Sequence, residues 1–549
     1  MDRPWHASYD EGIPADVGVV DGTVVDNLAG SAEAYPGKPA VFFKGNRLTY
    51  RELDEYSNSL ANALSHMGVT AGDRVAVMLP NLPQTIISYY AILKAGAAMI
   101  GLNPESSTNE ISRILTNSRA GVVIGLEFDY ERLLSIKDLT GIKHLILTDI
   151  RRFYPKRLRF FKEYIAKTTG YFRRITYEGD VHNFSKLIAH HPRSKPNVVI
   201  TPEDTAVIQY TGGITGTAKG AMLTHRNIAT NIEQVALWFK GQLTKDDRII
   251  AAAPYNHLYG MTMALDLPIR LGASIIIMNR FTPEKFVYVI TKDRPTFFPA
   301  IPAMYRALIH FQGVEKLDFS TIRLSMSAAA PLSESVRESF RRVTGVPIIE
   351  GYGLAEASGL THINPVSGKG KPGTIGLPLP GTDARVVNVL SGEGPLSPNE
   401  SGELTISGPQ VMRGYWAMPD ETADTIKDKR LFTGDIATMD EDGYFRLEER
   451  KKNIIFVGEN RVYHREVEEI LMKHHLVVDA AVAGIPDELT GEAVKAYVVL
   501  EEGKALSGED IISYCRANLS PFKTPVAVEF LREMVKTADG KVILKDMAD

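Results

Sequence analysis

The sequence predicts an α/β protein in which a large N-terminal domain of doubly wound sheets is followed by a small α+β C-terminal domain. Two observations predict this organisation. Short apolar runs alternate with segments of helical periodicity through the first part of the chain, which is typical of βαβ units in a mostly parallel sheet. The pattern then changes near Arg450, after which helices and longer strands are mixed.

Buried strands are predicted where a short apolar run ends in turn-forming residues. These runs are Arg74–Leu79, Ala98–Leu102, Gly121–Gly125, Thr205–Tyr210, Arg248–Ala253 and Ala273–Met278. Helices are predicted at Leu82–Ala95 and Asn109–Ala120, where apolar residues recur at helical spacing. Strands and helices in this order favour parallel strands joined by helical crossovers.

The C-terminal part is predicted to form a separate small domain, with its boundary around Glu448–Asn453. The predicted elements are, in order, a helix at Arg465–His474, strands at Val477–Gly484 and Ala493–Leu500, and a helix at Gly508–Asn518.

Composition excludes several classes of protein. The chain has 549 residues, of which 44% are hydrophobic and 23% charged, so it is neither disordered nor fibrous. Its net charge of −4 is too balanced for a protein that binds nucleic acid. The single cysteine, Cys515, cannot form an internal disulfide, which favours a reducing cytoplasm. We expect no secretory signal and no membrane span, since runs such as Ala97–Leu102 are far shorter than the ~18–20 residues that a spanning helix needs.

The segment Arg151–Arg174 is unusually basic, with Phe and Tyr residues interleaved among its Lys and Arg residues and one acidic residue, Glu163. A basic amphipathic helix with aromatic residues could bind an anionic membrane surface. The alternative is a solvated helix whose aromatic side chains pack into its own domain. The sequence leaves both interpretations open.

The strongest local motif is the loop that follows the strand predicted at Thr205–Tyr210. Glycines allow backbone N–H groups to converge on an anion, hydroxyl groups donate to it, and a lysine adds positive charge. The loop has all three in Thr211, Gly212, Gly213, Thr215, Gly216, Thr217, Lys219 and Gly220. It is not a Walker A loop, because Ala218 precedes the lysine and Gly220 follows it. The pattern predicts a phosphate-binding loop.

This loop resembles the phosphate-binding signature of the adenylate-forming superfamily, which comprises acyl-CoA synthetases, aryl-CoA ligases, luciferases and peptide-synthetase adenylation domains. Further signatures follow in the order of that family over nearly the whole chain. They are Leu48–Leu53, Pro254–Gly260, Ser327–Leu332, Gly351–Glu356, Gly402–Gly408, Gly414–Trp416, Thr433–Asp435, Arg450–Lys452, Gly458–Tyr463 and Lys536–Lys541. The opening Arg3-Pro4-Trp5 and the basic segment are most similar to the fatty-acyl-CoA ligases.

The resemblance implies a domain organisation and a reaction. Residues 1–449 would form the N-terminal adenylation domain with a small β-rich subdomain, residues 450–453 a hinge, and residues 454–549 a mobile C-terminal domain. ATP, a fatty acid and coenzyme A would be the substrates, and Mg²⁺ would accompany ATP. The carboxylate attacks the α-phosphate to give acyl-AMP and pyrophosphate, and the thiol of coenzyme A then displaces AMP.

The resemblance also implies roles for individual residues. The loop from Thr211 to Lys219 would hold the triphosphate, and Glu356 would be the magnesium ligand, since a hard cation prefers carboxylate oxygen. Adenine would lie against the backbone of Ala329, Ala330 and Pro331 and the ring of Tyr352, between Gly351 and Gly353. Ribose would be bound by Asp435 and Arg450.

The remaining implied roles concern catalysis, acyl binding and domain motion. Lys541 would be the catalytic cation of adenylation, at a position where charge is typically worth ~3–4 kcal/mol. His257 would lie between the acyl pocket and the thiol tunnel, with a core histidine as the alternative. Trp238 would gate the acyl tunnel, with a buried structural tryptophan equally compatible with the sequence. Gly458 would leave room for the pantetheine arm, and Lys452 would be the pivot.

Departures from the family pattern affect several of these motifs. Ala355 stands where the family usually has a threonine that donates to the α-phosphate, and losing one hydrogen bond would cost ~1–2 kcal/mol. The others are Gly212 for Ser, Ile214 for Thr, Ala218 for Pro, Asn453 for Asp, His464 for Pro and Val535 for Pro. Lysine and glutamate are retained, so activity is still expected.

We therefore predict a cytoplasmic, ATP-dependent ligase of medium- to long-chain fatty acids and coenzyme A, with peripheral membrane contact through 151–174 and a homodimer as further options. One alternative is an aryl- or short-chain-acid–CoA ligase. A carrier-protein adenylation domain is less compatible, because no carrier segment follows Asp549. The third alternative, a non-catalytic nucleotide-binding protein at a membrane, is opposed by the retained Glu356, Asp435, Arg450 and Lys541.

Overall fold

The computed structural model describes residues 3–155, 175–211, 218–450, 454–457, 460–487, 491–519 and 521–534. Contacts between Cα atoms divide the chain into two compact units. Unit 1 comprises Met1–Ala384, Ile406–Leu431 and Asp440–Phe445, and unit 2 comprises Arg385–Thr405, Phe432–Met439 and Arg446–Asp549.

The strands among the described residues are numbered in chain order. They are β1 (Pro39–Phe43), β2 (Asn46–Thr49), β3 (Arg74–Met78), β4 (Ala98–Gly101), β5 (Val122–Leu126), β6 (His144–Thr148), β7 (Val181–Asn183), β8 (Thr205–Thr211), β9 (Lys219–Thr224), β10 (Arg248–Ala251), β11 (Ser274–Ile277), β12 (Phe297–Ala300), β13 (Leu324–Ser327), β14 (Ile348–Tyr352), β15 (His362–Ile363), β16 (Leu377–Pro378), β17 (Asp383–Val387), β18 (Gly402–Ser407), β19 (Gly414–Tyr415), β20 (Ile426–Lys427), β21 (Arg430–Met439), β22 (Phe445–Arg450), β23 (Ile454–Val457), β24 (Asn460–Tyr463), β25 (Val477–Asp487), β26 (Gly491–Leu500) and β27 (Ala527–Leu531).

The α-helices are numbered in the same way. They are α1 (Val24–Ala34), α2 (Tyr50–His66), α3 (Pro83–Lys94), α4 (Thr108–Ser118), α5 (Tyr130–Thr140), α6 (Phe184–His190), α7 (His225–Trp238), α8 (Leu258–Met261), α9 (Leu267–Leu271), α10 (Pro283–Lys292), α11 (Pro302–Ile309), α12 (Glu334–Thr344), α13 (Pro419–Thr425), α14 (His464–Leu471) and α15 (Gly508–Asn518). A π-helical segment, Thr262–Asp266, joins α8 to α9.

Two large sheets form the framework of unit 1. The eight-stranded sheet has the order β19-β9-β8-β4-β3-β5-β6-β7, and all neighbours from β8 to β7 are parallel. The nine-stranded sheet has the order β16-β15-β14-β13-β12-β10-β11-β1-β2, with parallel pairing from β14 to β1. In both sheets, antiparallel strands are added at the edges.

Strand β3 shows why these sheets are covered on both faces. Its alternate residues Val75 and Val77 pack with α1, α2, α3 and the inner face of the nine-stranded sheet. Ala76 and Met78 point to the opposite face and pack with α4 and α5. The outer face of the nine-stranded sheet is covered by α10, α11 and α12 around Phe298. Such two-sided burial explains why the strands are continuous apolar runs in the sequence.

Two smaller sheets complete the fold. Strands β17, β18, β21 and β20 form one, and β22 pairs with β21. The other, in unit 2, has the order β24-β23-β26-β25 with β27 beside β26, and it packs against α14 and α15 around Val482 and Cys515. Burial raises the pKa of the Cys515 thiol to about 11.

The structure confirms the predicted fold class and the elements on which it was based. The strand predicted at Arg74–Leu79 is β3, and the helix predicted at Leu82–Ala95 is α3. The two units differ from the predicted division at 450–453, because Arg385–Thr405 and Phe432–Met439 group with the C-terminal residues. Among the described residues, no helix is long and apolar enough to cross a membrane.

The basic segment is described only as far as residue 155. In this part, Phe153 and Tyr154 are buried in the main core, where Tyr154 contacts the ring of Phe43 and Phe153 contacts that of Tyr56. These two aromatic residues therefore follow the packed interpretation, whereas residues 156–174 lie outside the described part of the chain.

Candidate nucleotide and acyl site

The predicted phosphate-binding loop connects two antiparallel strands. Strand β8 ends at Thr211, which is opposite Lys219 at the start of β9. Because β8 is parallel to β4, this loop leaves the carboxyl edge of the eight-stranded sheet, where ligands of α/β proteins commonly bind. Lys219 is partly exposed there. The predicted residues Gly212, Gly213, Thr215, Gly216 and Thr217, and the side chain of Thr211, lie outside the described part of the chain.

The predicted adenine-binding residues leave the carboxyl edge of the nine-stranded sheet. Ala329, Ala330 and Pro331 are exposed and directly follow β13 and Ala328. Ala329 has a φ of 71°, a left-handed conformation that is unusual for a residue with a Cβ. Since β13 and β14 are parallel neighbours, the segment that follows β14 lies at the same edge.

Gly353 is required by a close approach of the backbone just after β14. A Cβ atom at this position would lie 1.5 Å from the carbonyl oxygen of Gly359. Tyr352, the residue before it, is buried, and its ring contacts that of His362 at 5.9 Å between centroids. Burial lowers the pKa of His362 to about 3, so this ring is neutral. The backbone approach thus leaves no space for a side chain at Gly353.

Glu356, the predicted magnesium ligand, lies on a short 3-10 turn, Ala355–Ala357, after β14. Its Oε1 accepts a hydrogen bond from the hydroxyl group of Tyr415 at 2.8 Å. The Nζ atom of Lys219 lies 5.3 Å from the centroid of the same tyrosine ring. Burial and the charge of Glu356 raise the pKa of Tyr415, so its hydroxyl group remains a donor. The structure therefore brings Lys219 and Glu356 together around Tyr415.

Ala355, the departure from the family pattern, is the first residue of that turn. Its methyl group is partly buried and packs against the main core. Among the described residues, Glu356 is in no group of three or more His, Cys, Asp or Glu side chains that could form a metal cage. A single carboxylate fits Mg²⁺, which is usually bound by one or two carboxylates together with phosphate oxygens and water.

His257 is exposed, so the alternative of a core histidine is wrong. It is the N-cap of α8, where its Nδ1 accepts a hydrogen bond from the backbone N–H of Tyr259 at 3.3 Å. The hydroxyl group of Tyr259 donates to the carbonyl oxygen of Met326 at 2.9 Å and so holds α8 against β13. His257 is thereby fixed near the edge that carries Ala329.

A cleft lies beside His257, between the carboxyl edges of β3 and β4 and the helical segment that begins at α8. Gln209 of β8 donates to the carbonyl oxygen of Asn256 at 3.0 Å, which joins the two sheets at this point. The lining is mostly apolar and comprises Val77, Leu79, Thr85, Tyr89, Met99, Gly101, Tyr255, Asn256, Met261 and Leu265. The cleft is a narrow crevice with room for about one water molecule, so it marks an apolar contact surface and not a complete acyl pocket.

Asp266 lies behind one wall of this cleft and is completely buried. Its two carboxyl oxygens accept hydrogen bonds from the hydroxyl groups of Tyr89 at 3.3 Å and Tyr90 at 3.2 Å. Burial raises the pKa of Asp266 to about 8, although these two hydrogen bonds act in the opposite direction.

Trp238 is buried at the end of α7 and is not among the residues that line the cleft. Its Nε1 donates to the carbonyl oxygen of Asn364 at 3.2 Å, and its ring contacts that of Tyr9 edge-on at 5.1 Å between centroids. These contacts favour the structural alternative for Trp238 over a gate in the acyl tunnel.

The remaining predicted residues belong to unit 2. Asp435 is buried in β21, where its backbone N–H donates to the hydroxyl oxygen of Thr433 at 3.1 Å. Arg450 ends β22, and its side chain is outside the described part of the chain. Lys452, Gly458 and Lys541 also lie outside it.

Sequence reasoning missed Tyr415, Tyr89 and Asp266. Tyr415 was recognised within a family motif, but nothing in the sequence connected it to Glu356, which lies fifty-nine positions earlier. A signal for Asp266 was present, because it is the single charged residue in the run Leu258–Ile269. A lone carboxyl group in an apolar run predicts a buried polar group that needs hydrogen-bond partners.

The chain is similar to known proteins over nearly its whole length. The profile of the AMP-binding enzyme family matches residues 28–416, and that of the AMP-binding enzyme C-terminal domain matches residues 466–541. A long-chain-fatty-acid–CoA ligase of Bacillus subtilis (strain 168) is 38% identical over 100% of this chain and 98% of its own. A feruloyl-CoA synthase of an Amycolatopsis species is 30% identical over 93% of this chain and 96% of its own.

A solved structure has the same fold. The crystal structure of ATP-bound MatB from Rhodopseudomonas palustris superposes with a TM-score of 0.81 at 26% identity, covering 96% of this chain and 98% of that one. The family profiles together span most of the chain, and the two halves occur in the order that the motifs predicted. The chain therefore belongs to the AMP-binding enzyme family.

Proposed function

We propose that this protein is an ATP-dependent fatty acid–CoA ligase. The observation that carries the proposal is the arrangement of Lys219 and Glu356 around Tyr415, where family motifs meet at the edges of the two sheets. A carboxylate bound at this edge would lie near the groups that bind the triphosphate.

In the first half-reaction, a carboxylate oxygen of the acid attacks the α-phosphorus of ATP. The new O–P bond gives acyl-AMP, and the bond to pyrophosphate breaks. The loop before Lys219 and the lysine itself bind phosphate oxygens, as the resemblance implies. Glu356 would hold Mg²⁺, which when bound neutralises charge on the phosphates. Lys541 would stabilise the charge that develops at phosphorus.

The nucleoside would be bound by residues of four family motifs. Ala329–Pro331 and Tyr352 would hold adenine through backbone hydrogen bonds and ring contact. Asp435 and Arg450 would bind the ribose hydroxyl groups, which are donors suited to a carboxylate. These roles are carried over from the family motifs.

In the second half-reaction, the thiol sulfur of coenzyme A attacks the acyl carbon. The S–C bond forms, the thiol loses its proton, and AMP leaves. Gly458 would provide room for the pantetheine arm, and rotation about Lys452 would exchange Lys541 for Gly458 at the site. Lys452→Pro would restrict φ to about −65°. We expect it to leave acyl-AMP formation largely intact and to impair thioester formation, whereas normal overall turnover of the variant would refute the rotation.

The relatives support a fatty acid as the substrate. The Bacillus relative named for long-chain fatty acids is 38% identical to this chain, whereas the relative named for feruloyl-CoA synthesis is 30% identical. An aryl- or short-chain acid is therefore the second candidate.

We also propose a homodimer and a cytoplasmic location, with peripheral attachment to anionic membranes through the basic residues of 151–174 that follow the buried Phe153 and Tyr154. Each Lys or Arg near such a surface contributes about 1 kcal/mol, and salt screens it. Co-sedimentation with anionic vesicles should fall as salt rises, and should be lost when Lys156, Arg157, Arg159 and Lys162 are replaced by Glu. Binding that is indifferent to both changes would contradict the attachment.

One assay tests the function. Pyrophosphate release is measured with ATP and Mg²⁺ in the presence of fatty acids of increasing length, and of benzoic, cinnamic and short-chain acids, each with and without coenzyme A. We expect the highest kcat/KM with a medium- or long-chain acid and formation of the thioester when coenzyme A is present. A preference for an aromatic or short acid would select the second candidate, and no release with any acid would refute a ligase.

A further inference from the structure

The segment Gln410–Trp416 joins the two parts of the phosphate site. The carbonyl oxygen of Gln410 accepts a hydrogen bond from the hydroxyl group of Ser358 at 2.8 Å, and the backbone N–H of Met412 donates to the carbonyl oxygen of Glu356 at 2.7 Å. The segment is therefore bonded to the turn that carries the predicted magnesium ligand.

The next residues of the same segment bind the strand that carries Lys219. Tyr415 is opposite Ala221 of β9 in antiparallel register, and the backbone N–H of Trp416 donates to the carbonyl oxygen of Gly220 at 2.7 Å. Because Met412 and Trp416 are fixed to different elements, the intervening Tyr415 is held between them.

Both the hydroxyl group and the aromatic ring of Tyr415 make contacts in this position. Its hydroxyl group donates to Glu356 Oε1 at 2.8 Å, and its ring face lies 5.3 Å from Lys219 Nζ. The side chain is nine-tenths buried, with a residual exposure of 7%. One oxygen of the Glu356 carboxylate is therefore fixed by Tyr415.

We propose that Tyr415 is a positioning residue that orients the Glu356 carboxylate toward the magnesium ion of MgATP and holds Lys219 beside it. A carboxylate that is free to rotate must lose that freedom when it binds a cation, whereas one already held by a hydrogen bond does not. The same ring also contacts the ammonium group of Lys219. The inference rests on the proposed function for the reaction, but it concerns MgATP binding, which is measurable by itself.

The competing interpretation is that Tyr415 only stabilises the fold. Tyr444 provides a matched control, because its hydroxyl group also makes a 2.8 Å hydrogen bond, to the carbonyl oxygen of Lys369. Tyr444 is similarly buried, with an exposure of 4%. It has been assigned no part in binding or catalysis, and removing its hydroxyl group reports the cost of a lost structural hydrogen bond.

The experiment compares Tyr415→Phe and Tyr444→Phe with the wild type. Calorimetric titration with ATP, at Mg²⁺ concentrations from micromolar to millimolar, gives the Mg²⁺ dependence of ATP affinity without turnover. Pyrophosphate release gives the same dependence during the reaction, and thermal unfolding gives stability. Tyr415→Phe removes a hydrogen bond to a charged group. We therefore expect the Mg²⁺ concentration that gives half of the maximal gain in ATP affinity to rise about tenfold. The affinity for ATP without metal should change little.

A second variant separates the ring from the hydroxyl group. Tyr415→Phe keeps the ring beside Lys219, whereas Tyr415→Leu removes both features. We expect Tyr415→Leu to weaken metal-free ATP binding as well, by several-fold, because a cation–π contact is worth ~0.5–1 kcal/mol at a partly exposed site.

The outcomes are distinct. The proposal would be overturned if Tyr415→Phe and Tyr444→Phe lost similar stability and both kept the wild-type Mg²⁺ dependence. If Tyr415→Leu does not fold, Tyr415→Phe decides alone, and a wild-type Mg²⁺ dependence in that variant overturns the proposal. Wild-type protein that binds MgATP with the expected Mg²⁺ dependence but releases no pyrophosphate would refute the ligase function and leave the role of Tyr415 supported.

Discussion

Two carboxyl groups in unit 1 have the same type of partner and opposite surroundings. Glu356 is partly exposed and accepts one hydrogen bond from Tyr415, in a region that also holds Lys219. Asp266 is completely buried and accepts hydrogen bonds from Tyr89 and Tyr90, behind an apolar cleft.

The difference shows that burial decides what a carboxyl group can do. A carboxylate at a polar edge is accessible to a cation and to phosphate-bound metal. A buried carboxyl group favours its protonated form, which is why the pKa of Asp266 is raised to about 8. The polar region is thus suited to the charge changes of adenylation, whereas Asp266 is a buried group that two tyrosine hydroxyl groups hold in place.

The largest effect should come from replacing Lys541, the proposed catalytic cation of adenylation. Lys541→Ala should reduce acid-dependent pyrophosphate release by about 10²–10³-fold, because preorganised charge at the reacting phosphate is typically worth ~3–4 kcal/mol. Conversion of supplied acyl-AMP to the thioester should survive, if Lys541 acts only in adenylation. Rapid-quench assays of the two half-reactions would measure this, and equal losses would refute the assignment.

A smaller loss is expected from Glu356→Gln, which keeps the size of the side chain and removes its charge. The Mg²⁺ requirement for pyrophosphate release should rise by about 10–100-fold, since a charge-assisted contact is worth ~1.5–3 kcal/mol. Asp266→Asn is the matched control from the apolar region and should leave the Mg²⁺ requirement unchanged. An unchanged requirement in Glu356→Gln would point to another ligand.

The buried carboxyl group should instead control how stability depends on pH. The pKa of Asp266, about 8 when folded, exceeds ~3.9 for an unfolded aspartate, so the folded state binds the extra proton between these values. The free energy of unfolding should therefore fall as pH rises from about 4 to about 8, by at most ~1.4 kcal/mol per pH unit.

Urea unfolding of the wild type and of Asp266→Asn at several pH values would measure this contribution. The variant cannot ionise and should lose that part of the pH dependence, so the two stabilities should converge or cross as pH rises. Tyr89, Tyr90 and Tyr255 have pKa values raised by burial and by Asp266, so they stay protonated in this range. Parallel pH profiles for the two proteins would contradict the prediction.

The smallest effect is expected in the cleft wall. Tyr89→Phe and Tyr90→Phe each remove one hydrogen bond to Asp266, but only Tyr89 lines the cleft. Both should lose stability by ~1 kcal/mol. Only Tyr89→Phe should shift the ratio of kcat/KM between long and short acids, by a few-fold, because its ring is no longer fixed. Identical acid preferences in both variants would show that the hydrogen bond between Tyr89 and Asp266 does not affect the choice of acid.

Much of the fold could be predicted because its signals are local. Strands such as β3 and β4 are buried on both faces, so they appear as unbroken apolar runs between turn residues. Helix α3 begins at Pro83, a residue that favours the first turn of a helix. The predicted phosphate-binding loop was recognisable as a family motif for the same reason, since its glycines, hydroxyl groups and lysine are adjacent in the chain.

The sequence by itself therefore determined the α/β class, the order of the elements and the membership of Lys219 and Glu356 in family motifs. Only the tertiary structure decided that Tyr415 joins these two residues, that Asp266 is enclosed with Tyr89 and Tyr90, and that Trp238 is packed away from the cleft. The physical reason is the range of the interactions. Periodicity and turn chemistry depend on neighbouring residues, whereas burial and side-chain hydrogen bonds depend on which distant segments the sheets bring together.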